Sequence, residues 1–96
     1  MSEWTFLTNH AHVLLCITED NEIRLRDLAE KVNISERAVK RIVADLEQTG
    51  YISRQRFGRR NRYQIHQEQP IRSPLARTIE IGALLTLLVP LVSSSL

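Results

Sequence analysis

Arg54, Arg56, Arg59, Arg60 and Arg62 place five guanidinium groups within nine residues, with no acidic residue among them. Arg37, Lys40 and Arg41 add three cations upstream. A guanidinium can bind phosphate oxygens through paired, charge-assisted hydrogen bonds. It can also donate two hydrogen bonds to O6 and N7 of guanine in the major groove, where Lys serves as well. From Ser35 to Arg62 eight basic residues meet three acids, Glu36, Asp45 and Glu47. The rest of the chain holds five basic and eight acidic residues. The net charge is only +2, so it is the uneven distribution that points to a polyanion partner.

Other chemistries find no support in the residue types. There is no Ser-His-Asp grouping, no P-loop, no glycine-rich dinucleotide turn and no paired carboxylate set, so no enzyme is expected. Cys16 is the single cysteine and cannot form an intramolecular disulfide. Within Val13-Leu14-Leu15-Cys16-Ile17 it reads as a small buried hydrophobe in a reducing cytoplasm. The N-terminus carries no signal pattern, and the expected localisation is cytoplasmic. His10 and His12, two apart, point about 200° apart on a helix and form no ligand set with His66 and Cys16; no metal or cofactor is expected. The apolar run from Ile79 to Val92 has 14 residues and is interrupted by Pro90. A helical span needs about 20, so no membrane insertion is expected.

The elements that must position the cations follow from periodicity. The 96 residues, 43% hydrophobic and 25% charged, suit one small globular unit. Thr8 or Asn9 caps a first helix to about Thr18, with Ala11, Leu14, Leu15 and Thr18 on one face. Trp4, Phe6 and Leu7 before it should close over the core. After the loop Glu19-Asp20-Asn21-Glu22, Ile23-Arg24-Leu25 is a very short strand or the lead-in to a second helix. That helix spans about Arg26 to Val32, with Leu28, Ala29 and Val32 as its stripe. Asn33 can end it in left-handed geometry, Ile34 plugs the angle, and Ser35 caps the next helix. The third helix, Glu36 to about Thr49, carries Val39, Ile42, Val43 and Leu46 at i, i+3, i+4, i+7. Burying them turns Glu36, Arg37, Lys40, Arg41 and Ala44 outward. Two helices joined this tightly, with small Ala29 between them, cross steeply as a helix-turn-helix. After Gly50 the period becomes 2. Tyr51 to Phe57 reads as a strand, Gly58-Arg59-Arg60-Asn61 as a turn, and Arg62 to His66 as the returning strand. A polar connection over 67–73 leads to a last helix from about Pro74, capped by Ser73, to about Val89.

The segments "IRLRDLAEKVNISERAVKRIVADLEQTGYI" and "SRQRFGRRNRYQI" together resemble the winged helix-turn-helix module of prokaryotic transcription regulators, the MarR-like and ArsR-like groups above all. The resemblance implies a mostly α fold with a small β-hairpin: a three-helix core, a wing and an added C-terminal helix. It implies that the third helix reads the major groove of double-stranded DNA through Ser35, Glu36, Arg37, Lys40 and Arg41. Arg59, Arg60 and Arg62 on the wing would contact the backbone, and Arg54 and Arg56 share that ribbon. Residues 1–68 then form the DNA-binding domain and 69–96 a helix for dimerisation. The last helix is apolar on more than one face, and Leu75, Ile79, Gly82, Ala83, Leu84, Leu87 and Leu88 are its expected contacts with a second copy. The expected function is a sequence-specific, homodimeric transcriptional regulator, with any small-molecule effector at the dimer seam. Two other readings stand beside it: a non-specific or architectural nucleic-acid binder, and a winged-helix protein-interaction module.

Overall fold

The computed structural model describes residues 4–93. Its elements run α1 (Asn9–Glu19), α2 (Leu25–Val32), α3 (Glu36–Gln48), β1 (Ile52–Phe57), β2 (Arg60–Ile65) and α4 (Ile81–Ser93). Four helices and one antiparallel hairpin make a winged helix, the expected fold class.

The caps fall where the side chains call for them. The Thr8 hydroxyl accepts from Ala11 N–H at 3.3 Å, and the Ser35 hydroxyl accepts from Ala38 N–H at 3.0 Å. Asn33 ends α2 at φ 63°, ψ 49°, a left-handed conformation that Asn tolerates through its short polar side chain. Asn33 N–H and Ile34 N–H, the latter at 3.0 Å, both donate to Ala29 O, which closes the helix end and turns the chain away from its axis. The chain reaches Ser35 within two residues, so α3 starts at once and crosses α2. Ala29 is buried at the crossing.

The core contains Leu28 of α2, Val39, Ile42, Val43 and Leu46 of α3, and Ile52 and Tyr63 of the hairpin. The four-residue stripe of α3 is buried as its spacing requires. For α1 the expected face needs correction. Val13 and Ile17 are fully buried, along with Leu14 and Leu15, while Ala11 and Thr18 are half-buried. The physical reason is that α1 packs against α2, α3 and α4, so more than one side of it leaves water. A second correction concerns the N-terminal aromatics. Leu7 packs on the core, but Trp4 and Phe6 are exposed at 68% and 92%. They stack edge to face on each other, centroids 4.9 Å apart.

Ile23-Arg24-Leu25 is a lead-in, not a strand, and Leu25 already belongs to α2. Gly50 (φ 85°) closes α3. The hairpin register pairs Ile52 with Ile65, Arg54 with Tyr63 and Phe57 with Arg60. The turn is therefore tighter than the expected Gly58–Asn61. It contains only Gly58 and Arg59, and Arg60 and Asn61 belong to β2. Gly58 has φ 62°, and Arg59 is not among the residues of positive φ. That pattern is a type II′ turn, whose twist matches the strands and whose first central position favours glycine.

The last helix starts later than its pattern implies, at Ile81 instead of about Pro74. The Ser73-Pro74 signal is fulfilled only locally, by Leu75 N–H donating to Ser73 Oγ at 3.2 Å. The chain then folds back instead of propagating a helix. Ile71 N–H reaches Ile79 O at 2.8 Å, and Pro70 bridges Glu80. The first N–H groups of α4 go to the same strap: Ile81 to Gln69 O at 2.7 Å and Gly82 to Gln67 O at 2.9 Å. A side chain at Gly82 would come within 2.8 Å of Gln67 Cβ, so its lack of a side chain serves this approach within the chain. Leu75 and Ile79 accordingly lie in the strap and not on a helix. Ile81 and Leu85 of α4 join the common core. No helix among the described residues is long and apolar enough to cross a membrane.

Candidate nucleic-acid interface

With Val39, Ile42, Val43 and Leu46 facing inward, α3 has one outer face. Ser35, Glu36, Arg37, Lys40, Arg41 and Ala44 are all exposed. Arg37 and Arg41 are four apart and Lys40 three from Arg37, so the three cations share one surface. No acid lies within ion-pair distance of them among the described residues. Their side chains are free to donate outward.

The wing arginines divide into two sets. Alternation along the strands places Arg54 and Arg56 on the side of Ile52 and Tyr63, which are buried, and Arg60 and Arg62 on the side of Phe57. Arg54 Nη2 meets Glu47 Oε1 of α3 at 3.3 Å. Arg62 meets Glu22 Oε2 at 2.8 Å through Nη2 and 2.9 Å through Nε, and its guanidinium lies 4.3 Å over the Phe57 ring. Both pairs are substantially exposed, so each contributes only modestly to stability. Their geometric effect is larger: they join the ribbon to α3 and to the loop before α2. Tyr63 N–H donates to Asn21 O at 2.9 Å and strengthens the second junction. Burial of Tyr63 raises its phenol pKa above the usual value, with nearby Arg54 opposing; the group stays neutral. Arg56 Nε donates to Gly58 O at 3.3 Å. Arg59 and Arg60, at the tip, have no partner among the described residues and are exposed.

The expected site residues therefore occupy two neighbouring places, the α3 surface and the wing. A cleft of about 640 Å3 connects them, bordered by Glu36 at the start of α3 and by Arg59, Arg60 and Asn61 of the wing. The same cleft is lined by Arg24 and Arg26, which the local sequence presents only as the approach to α2. Their one signal is a pair of cations around Leu25. Nothing local tells that the hairpin, about 35 residues later, folds back beside them.

His10 and His66 each have a side-chain partner within the fold. His10 Nε2 lies 2.8 Å from Asp45 Oδ2, and His66 Nε2 lies 3.1 Å from Ser53 Oγ. Cys16 is half-buried, and burial raises its thiol pKa, with Lys31 opposing; the sulfur is a packing group in its neutral form.

The family model described as the MarR family matches residues 8–57, just over half of the chain. The match spans α1, α2, α3 and β1 and ends at the wing turn. A search of curated proteins finds no match.

Proposed function

The chain belongs to the MarR family of DNA-binding transcription regulators, whose members typically act as dimers, and on that premise we propose that it reads a specific duplex sequence as a homodimer. The observation that carries this reading is the face of α3. Arg37, Lys40 and Arg41 stand exposed opposite a buried stripe, next to the wing tip, and neither they nor the tip arginines have an ion-pair partner among the described residues. In the major groove Arg37 and Arg41 supply bidentate donors to guanine, and Lys40 a mobile charge for a phosphate or base edge. Glu36 can accept from a cytosine amino group. Ser35 is engaged in its cap, so its role in the groove is to set where the helix begins.

On the wing, Arg59 and Arg60 bind backbone phosphates, with Arg56 beside them. Arg54 and Arg62 act more through aim than through direct binding, since Glu47 and Glu22 hold them. Replacing Arg59 and Arg60 by Ala should weaken every duplex alike. The slope of log affinity against log salt should become shallower by about 0.9 for each phosphate that the wing no longer neutralises. A salt titration reads this directly, and an unchanged slope would remove the wing tip from the backbone.

The second copy would dock on α4. Ile81 and Leu85 face the core, Leu84 and Leu88 are half-buried, and Ala83 and Leu87 are exposed, Leu87 at 68%. Leu75 at 96% and Ile79 at 48% add apolar surface from the strap. Gly82 is occupied by Gln67 and supports the helix from within. A two-fold dimer would present two α3 helices to half-sites about one helical turn, or a multiple, apart. Leu87→Asp should shift the protein to monomer in sedimentation. It should also lower affinity for a duplex with both half-sites by about a hundredfold or more, by removing bivalent attachment. A variant that stays dimeric would move the interface elsewhere.

The test of the whole reading is binding to a selected duplex and a random duplex across a salt series. A specific reader retains a ratio of about a thousandfold or more; an architectural binder binds both equally, and a protein-interaction module binds neither.

A further inference from the structure

Between the start of α2 and the wing tip lies a cleft of about 640 Å3 lined by Arg24 and Arg26 together with Arg59 and Arg60. We propose that it is a clamp for the phosphodiester backbone: one strand of the duplex runs through it, held by Arg24 and Arg26 on one wall and by Arg59 and Arg60 on the other. The clamp rests on the duplex reading above and adds Arg24 and Arg26 to it as positioning residues.

Four guanidinium groups around one opening, none with an ion-pair partner among the described residues, repel one another until an anion enters. Two acids face the opening. Glu22 is already neutralised by Arg62 at 2.8 Å. Glu36 stands at the start of α3, where its carboxylate repels phosphate and accepts from a base instead. The two acids thus leave the arginine walls as the place for the backbone and the α3 side as the place for base edges. Asp27, in the first turn of α2, does not line the cleft.

The cleft is open to solvent, and its four arginines come from two separate segments of the chain, 24–26 and 59–60, a spread suited to successive phosphates of one backbone. The walls are also preset. Ile23 and Tyr63, which border the cleft, are buried, and the link from Tyr63 N–H to Asn21 O at 2.9 Å ties β2 to the segment leading into α2. A site whose spacing exists before the ligand arrives needs less ordering when the ligand binds.

Arg24 and Arg26 are exposed, so Arg24→Ala with Arg26→Ala should leave the fold intact, which the thermal transition checks. With the selected duplex, the expected result is a salt slope shallower by about 1.8, so that raising salt from 50 to 200 mM weakens binding about tenfold less than it does for the unaltered protein. The ratio of selected to random binding should hold, and Arg24→Lys with Arg26→Lys should restore the slope. Phosphate-ethylation interference should disappear at backbone positions on the same strand as, and adjacent to, those that Arg59→Ala and Arg60→Ala silence. An unchanged slope, or silenced positions on opposite strands, overturns the clamp while leaving the duplex reading in place. If the unaltered protein binds no duplex in a salt-dependent way, the duplex reading falls, and the clamp with it.

Discussion

Arg37→Ala and Arg41→Ala should each cost about 1–3 kcal/mol of binding to the preferred duplex and relax selection at one base pair of each half-site. This is about a 5- to 150-fold loss for each change. The expectation comes from chemistry and position together. A bidentate guanidinium on guanine is worth this much in discrimination because the wrong base leaves its donors unmatched in a partly desolvated groove. Both side chains are exposed and have no ion-pair partner among the described residues, so little structural work is lost with either. Stability should therefore stay within the narrow range of surface substitutions, about 0.5 kcal/mol either way. The pattern separates reader from anchor: at Arg37 and Arg41 the loss is confined to the preferred sequence, whereas at Arg59 and Arg60 it extends to all duplexes. Selection of bound sequences by each variant from a random pool reads the difference. Unchanged selectivity in both variants would mean that another surface reads the bases.

Leu28→Ala should lower stability by about 2–5 kcal/mol, a large part of the roughly 5–15 kcal/mol that holds a typical domain folded. Leu28 has no exposed surface and sits with Val39 and Val43 of α3 and Val13 and Ile17 of α1 in one core. Truncation removes apolar packing and leaves a cavity that three helices cannot easily collapse. For a domain near this size the midpoint should fall by roughly 8–16 °C even at the low end. Binding should then fail for all sequences together as the angle between α2 and α3 relaxes. A drop of less than about 2 °C would mean that α2 is not seated on the core as described.

These two expectations depend on parts of the molecule that differ in how easily the chain reveals them. The α3 stripe is legible because Val39, Ile42, Val43 and Leu46 repeat at helical spacing and all four are buried. Asn33 and Ser35 are legible because each residue type favours one backbone state at a helix end. What escapes are long-range events. Arg62 finds Glu22 across 40 positions, so a ribbon without acids of its own still has two of its cations neutralised. Arg24 and Arg26 become part of the interface only because the hairpin returns beside them. The strap before α4 obeys the Ser73-Pro74 signal for one turn. Pairing of Ile71 with Ile79 then decides the conformation, and a pairing between residues eight apart leaves no periodic trace. Trp4 and Phe6 mislead for a simpler reason: large aromatics are usually buried, yet here they touch edge to face and stay exposed.

The claim on which the functional account stands is that the outer face of α3 enters the major groove. Methylation of guanine N7 removes an acceptor found only in that groove. With the selected duplex, N7 methylation at two guanines of each half-site should block binding. Arg37→Ala or Arg41→Ala should erase the block at one of those guanines and leave the other. If N7 methylation leaves binding untouched while minor-groove modification abolishes it, α3 is not the reader.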